Sequence, residues 1–432
     1  MNVLTRKLAR LLGAVALMAP CSVWGQDTVP TGVRLGLTFS SNGKAGITIP
    51  AVPGANGDSV RRILARDLDF SDRFNVIELD SAATGALNYE LHARLGAVAV
   101  LQASVTPTGT LHAAVHDVGA KRVIAVMDIA LPAPALSSEW RAVVHAVADS
   151  SEWAITGQRG IAGTRIAYMR QNQIWLVDFD GAVARPVSGT ENAMSPAWHP
   201  SGSKLAYNLL PVGRDRSRVV VRDLETGPVR TISVSDLNQS PVFSPDGREL
   251  LLSAGPESTD LYAVDLVGSQ PTRRVTSRRG SSNMSPTVSP DGRRIAFTSD
   301  LIGHPEVYIV DADGSGAEPL VTTGFGDRPY RANPDWSPDG RRIAFQSRIN
   351  DVFQVFASTL RDRSIQQLTS DGENESPSWA PDGRHIVLVS SRSGARELWV
   401  LDTETFRTRQ LTRGTRVGNP AWSPRLMLTT TP

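Results

Sequence analysis

The nine residues SPDGRRIAF stand at 289–297 and recur letter for letter at 337–345, and no other feature restricts the fold as tightly. Aligned on this phrase, the chain yields six copies: SPAWHPSG from Ser195, SPVFSPDG from Ser240, SPTVSPDG from Ser285, NPDWSPDG from Asn333, SPSWAPDG from Ser376 and NPAWSP from Asn419. The steps between them are 45, 45, 48, 43 and 43 residues, which marks a stacked or circular array of one supersecondary unit. Each phrase is followed by short alternating runs such as RIAFTS (294–299), EVYIVD (306–311) and RRVTS (273–277). Four β-rich runs per unit, parted by Gly, Asp and Ser turns and without a 3.6-residue period, predict the blade of a β-propeller.

The phrase itself reads as scaffolding. Pro245, Pro290, Pro338 and Pro381 pre-set φ at the second turn position, and Gly247, Gly292, Gly340 and Gly383 fill the last. Asp246, Asp291, Asp339 and Asp382 are therefore turn residues and not paired catalytic acids. Trp198, Phe243, Val288, Trp336, Trp379 and Trp422 share one equivalent position and are read as core between neighbouring blades, in preference to an aromatic ligand cage. RIAYM (165–169), IWLVD (174–178) and ARPVS (184–188) precede the first full phrase, while the last phrase has little after it. The last innermost strand is thus expected to join these early strands in a composite sixth blade.

Residues 26–158 have another texture and precede the ring at 159–432. VRLGLTF (33–39), FNVIEL (74–79), VAVLQASV (98–105), LHAAVHDV (111–118) and VIAVMDIAL (123–131) read as strands. Val60, Ile63, Leu64 and Leu68 make a helical stripe that Asp58 or Ser59 would cap, and Trp140, Val143, Val144 and Val147 make a second one from Ser138 to about Ile155. The fold class is mainly β: a six-bladed propeller preceded by a small α/β domain, with the three-glycine stretch 155–164 as hinge.

The first 25 residues place Arg6, Lys7 and Arg10 before the apolar run Leu11–Ala19, the pattern of a secretory signal cleaved after Gly25. An uncleaved anchor is the competing reading. Cys21, the single cysteine, would be lipid-modified on a further reading, which Pro20 before it disfavours. Without this segment Lys+Arg falls to 42 against Asp+Glu 43. So neutral a body argues against a nucleic-acid or anionic-membrane binder. An exported chain of this kind, with no later run long enough to span a bilayer, is expected in the periplasm of a diderm bacterium.

Nothing in the residues points to catalysis, a cofactor or a metal. His112 and His116 are four apart on a strand, about 13 Å by the usual rise, too far to share an ion. There is no H-E-x-x-H, no G-x-S-x-G and no phosphate loop. DADGSGAE (311–318) lacks the twelfth-position glutamate of a calcium loop and reads as a strand-to-strand turn.

An exported chain with an α/β front and a ring built on NPDWSPDGRRIAFQS and SPTVSPDGRRIAFTSD resembles the TolB family, the periplasmic propellers of the Tol-Pal cell-envelope system. TRIAYM (164–169) and GNPAWSP (418–424) match the two ends of that family's ring. The resemblance implies a monomeric, non-catalytic scaffold that binds the peptidoglycan-associated lipoprotein Pal over one propeller mouth. It also implies docking of the inner-membrane protein TolA through residues 26–38, including Val33, Leu35 and Leu37, although VRLGLTFSSNGKAGITIP matches the family's usual start only loosely. Residues just before each S/N-P are candidate mouth contacts: Met194, Asn238, Gln239, Asn283, Met284, Arg331, Asn374 and Glu375. Met and Arg are enriched at protein interfaces; the asparagines suit either an interface or a turn. The competing functions are an exported propeller that binds a glycan or small ligand, and a degenerate propeller enzyme.

Overall fold

The computed structural model describes residues 43–81, 87–189, 192–210, 216–277, 280–321, 329–414 and 416–426. The expected export signal, the expected strand at 33–39 and Val33, Leu35 and Leu37 lie outside them. The front region runs β1 (Ala45–Pro50), α1 (Gly57–Phe70), β2 (Phe74–Leu79), α2 (Tyr89–Arg94), β3 (Ala97–Val105), β4 (Thr110–Asp117), β5 (Arg122–Ala130) and α3 (Ser138–Thr156). Its sheet has the order β2-β1-β3-β4-β5, with β1 parallel to both neighbours and the remaining pairs antiparallel.

β1 was not expected from the sequence. Every residue of AGITIP is buried, so the strand shows no polar alternation, as befits the centre of a parallel set. The helical stripes hold. Val60, Ile63, Leu64 and Leu68 of α1 and Trp140, Val144 and Val147 of α3 join one core with Ile47 and Leu101. Caps differ from expectation at α1: Asn56, at φ 59°, stands before the first turn without a side-chain cap, whereas Ser137 accepts the Trp140 N–H at α3.

Six four-stranded sheets follow. The innermost strands are Ala193–Trp198, Leu237–Phe243, Asn283–Val288, Arg331–Trp336, Asn374–Trp379 and Val417–Trp422, in blades 1 to 6. The last of these pairs with Arg165–Arg170, which continues into Gln173–Asp178 and Arg185–Pro186. The composite sixth blade is therefore present, and the ring closes through a sheet ladder.

The aromatic position is core. Trp336 packs with Ala296, Val307 and Ile309 of blade 3 as well as Ile343 and Phe345 of its own blade. Trp379 likewise joins Ala344 and Val355 of blade 4 to Ile386 and Leu388. Arg294 and Arg342, from the repeated GRRIAF, lie over the Trp336 and Trp379 rings at 5.1 and 4.5 Å. In the turns, Ser244, Ser289 and Ser337 donate to Asp246, Asp291 and Asp339, and those carboxylates accept the N–H two residues on. Gly292, at φ +72°, also lies against Pro245 of the preceding turn, so glycine serves both the left-handed backbone and the stacking of turns around the ring.

The expected hinge is pinned. Gly157 ends α3 in a left-handed conformation, and Asp149 then accepts the N–H groups of Ala162 and Gly163 at 2.7 and 2.9 Å. A charged seam fastens the front region to blades 5 and 6. Arg407 donates to Asp69 and Asp72, Arg384 to the Asp72 carbonyl, and Arg66 and Arg141 both to Asp180. Arg409 sits between the Phe70 and Phe179 rings at 4.0 and 4.1 Å, and burial there pulls its guanidinium down to about 9. His385, fully buried, bridges Asp382 of its own blade at 2.7 Å and Asp72 of the front region at 3.4 Å. Ala380 stands where blades 2, 3 and 4 carry the turn serine, and here the turn aspartate is partnered by histidine.

Candidate partner-binding face of the propeller

Each innermost strand breaks register at its S/N-P. Ser195, Ser240, Ser285, Asn333, Ser376 and Asn419 all adopt φ between 46° and 52°, and a bulge falls there in every blade. Six left-handed residues without a glycine among them, each costing roughly 1 kcal/mol or more, persist because neighbouring blades hold them. Asn333 N–H donates to Thr298 Oγ1 at 3.1 Å and Ser376 N–H to Gln346 Oε1 at 2.9 Å. Two residues after each bulge, Thr287, Asp335 and Ser378 accept the N–H groups of Trp336, Trp379 and Trp422 in the next blade. Inner-strand donors that no ladder can satisfy are thus met by side chains across the blade junctions.

These bulges line an axial channel of about 430 Å³. Among its described lining residues Asp335 carries the only ionisable side chain. Burial raises its carboxyl to about 7, outweighing the hydrogen bonds from Trp379 N–H, Ser378 and Thr287. Blades 3 to 5 give the channel Thr287, Asp335 and Ser378, whereas blades 6, 1 and 2 give Ala421, Ala197 and Val242. The channel is polar on one side and apolar on the other.

Strand alternation divides the expected mouth contacts. One residue before S/N-P, Met194, Gln239, Met284 and Glu375 are partly exposed. Two residues before it, Asn238, Asn283 and Asn374 are buried to 3% exposure or less. Asn238 Oδ1 accepts from Val234 and Ser235 N–H while its amide donates to Ser217 O and Ser235 O. Asn283 donates to Asp260, and Asn374 to Gln354 and to the Asp371 carbonyl. The three amides are spent on the preceding blade and the loop that leaves it, and offer nothing to a partner, which corrects the interface reading: they fasten each innermost strand to the blade before it. Arg331 is partly exposed but donates to buried Glu306 at 2.7 Å, and Glu375 accepts from Arg396.

Front-region contacts through Arg384 and Arg407 reach the opposite end of the strands, the end of the SPDG turns. The mouth at the strand starts is clear of them. Among the described residues the rim rises most at blade 4, where the middle strands Arg342–Ile349 and Val352–Thr359 have eight residues each, against six or seven in other blades. Asn350 and Asp351, both at positive φ, make the two-residue turn at the tip. Ile349, Val352 and Tyr330 are exposed there, and Tyr330 meets Phe353 edge to face at 5.1 Å. The sequence signal for this hairpin was available: Asn-Asp flanked by Ile and Val replaces the Gly- or Ser-bearing turns of blades 1, 2, 3 and 5, and differs from the polar Gln171-Asn172 turn of blade 6 in its apolar flanks.

Comparison with known proteins agrees with this architecture. The family profile described as TolB beta propeller domain matches residues 153–426. A relative from Methylococcus capsulatus named Tol-Pal system protein TolB is 32% identical over 51% of this chain and 54% of its own length. One of the same name from Haemophilus influenzae is 29% identical over 45% of this chain and 49% of its own. The chain thus spans about half the length of the curated relatives it matches. The crystal structure of TolB from Acinetobacter baumannii superposes with a TM-score of 0.76 at 27% identity, covering 89% of this chain and 97% of that one.

Proposed function

Since the chain belongs to the TolB β-propeller family of the Tol-Pal system, we propose that it is a periplasmic, non-catalytic scaffold that binds the peptidoglycan-associated lipoprotein Pal at the mouth away from the front region. The observation that carries this reading is the mouth itself: a partly exposed ring of Met194, Gln239 and Met284, clear of the front region, with an apolar hairpin standing over one side. Met in such a ring adapts to a partner surface. Residues 26–38, including Val33, Leu35 and Leu37, would dock TolA at the inner membrane. Coupling the two would serve outer-membrane integrity and constriction at division.

The test is calorimetric titration of the chain from residue 26 with the soluble domain of the host's own Pal. It is repeated with Met194→Ala/Gln239→Ala/Met284→Ala, whose residues the structure leaves partly exposed. Saturable binding that the triple variant loses at unchanged thermal unfolding supports the reading. A folded parent chain with no binding at tens of micromolar overturns it.

A further inference from the structure

Between the raised hairpin of blade 4 and the loop leading into blade 5 lies a groove of about 620 Å³, lined by Ile349, Val352, Gln354, Gln367, Gly372 and Glu373 among others. Three features give it a chemical character. Its outer wall is apolar: Ile349 and Val352 are each 39% exposed, two β-branched side chains held on a tight turn. Its floor is rigid and polar, because buried Gln354 donates to Gly372 O at 2.8 Å and accepts from Thr369 and Asn374. Its inner wall presents Glu373, the one carboxylate among the described lining residues, and the loop that carries it is acidic. Asp371, Glu373 and Glu375 in the loop DGENE outnumber the guanidiniums of Arg392 and Arg396, and Arg392 is already stacked on Trp399 and bonded to Asn374. At the tip Arg348 is matched by Asp351 at 2.7 Å and adds no net charge.

We infer that this groove is the anchoring subsite for the protein partner at the mouth, and that it takes a projecting apolar side chain flanked by a lysine or arginine. The inference rests on the scaffold reading above and says which part of the mouth contributes most. An apolar side chain seated against Ile349 and Val352, over the Gln354 floor, loses water on the face it buries, the setting in which few residues dominate an interface. The acidic loop selects against partners that bring carboxylates there and speeds the encounter with basic ones. Nothing comparable rims blades 2 and 6, where Gln239 and Gly418 occupy the mouth position.

The experiment compares three variants with the parent chain by calorimetry against the same soluble Pal domain. Ile349→Ser/Val352→Ser removes the apolar wall at exposed positions and is expected to weaken binding about tenfold or more. Asp371→Lys leaves the hairpin intact. It is expected to weaken binding about threefold at low salt, with the effect vanishing at about 0.5 M salt. Gln239→Ala, across the mouth, is expected to change affinity less than about twofold. If both groove variants bind within about twofold of the parent, the anchoring role is refuted while the scaffold reading stands. If the folded parent itself does not bind, both fall. Loss of stability in the double variant leaves Asp371→Lys to decide.

Discussion

Replacing His385 by alanine tests whether the seam between the front region and blade 5 is held by a protonated histidine. Both ring nitrogens face carboxylates, Asp382 at 2.7 Å and Asp72 at 3.4 Å, and only the imidazolium donates to both. Burial pulls the ring's proton affinity down, but Asp382 and Asp72 more than reverse this, so the pKa lies above its ordinary 6.5. Removing one member of a buried ion pair costs about 3–5 kcal/mol. Here the low end applies, because Asp72 keeps Lys44 and Arg407, each at 3.0 Å, and Asp382 keeps two backbone N–H groups. The expected loss for His385→Ala is thus about 3 kcal/mol near pH 6.

The sign of the pH dependence follows from linkage. A raised histidine contributes in full below its unfolded pKa and loses that contribution as pH rises through the folded one. Asp72 and Asp382 are held well below the usual carboxylate range, Asp72 through His385 and Lys44 and Asp382 through His385, despite burial. They stay ionised through the same window. Asp402 and Asp69 hold Arg384 and Arg407 above the usual guanidinium range despite burial, while Asp149 and Glu152, pushed up by burial to about 6 and about 7, and Arg409, pulled down to about 9, titrate in parent and variants alike. Urea unfolding of parent, His385→Ala and His385→Gln at about pH 6 and about pH 9, followed by tryptophan fluorescence, should show a penalty that shrinks on the alkaline side. A penalty equal at both, or larger at about pH 9, would refute a charged bridge.

Trp379→Ala should cost about 3–5 kcal/mol by denaturant unfolding, since the ring fills the junction of blades 4 and 5. Asn238→Ala should cost about 2–3 kcal/mol through four lost hydrogen bonds between blade 2 and the end of blade 1, yet leave affinity at the mouth unchanged in the folded fraction. Asp335→Asn concerns a carboxyl raised by burial to about 7. The native state holds that proton longer than the unfolded chain, so parent stability falls as pH rises from about 4 to about 7. The variant should show a shallower slope over that range in urea titrations.

The repeat made the ring legible because one phrase encodes one turn and one junction. Ser-Pro-Asp-Gly announced the hairpin, and the large apolar residue before it announced the core. The composite blade followed from counting strands. What escaped was set by contacts without a local signature. The left-handed bulges sit on Ser in four blades and on Asn in two, and serine alone does not call for positive φ. The asparagines before S/N-P occupied the right sequence positions, but a one-residue change of strand face decides between channel and interior. His385, Asp72 and Arg407 come together from more than 300 residues apart, beyond the reach of any spacing rule. β1 was hidden by full burial, which erases the alternation that marks a strand.

The ladder between Val417–Trp422 and Arg165–Arg170 also sets an order of events. Its partners are separated by about 250 residues, and the entropy lost in closing so long a loop grows only with the logarithm of its length. Closure therefore costs only about 3–4 kcal/mol more than a short hairpin would, but it must wait. A chain that emerges from its N-terminal side carries five blades and three strands of the sixth before the missing strand arrives. Until then Arg165–Arg170 is an open edge able to pair with another chain. Quality control of such a molecule is concentrated in its last strand: cleavage before Val417 would leave a split ring with an unpaired edge and a bare flank on blade 5, and not merely a shorter protein.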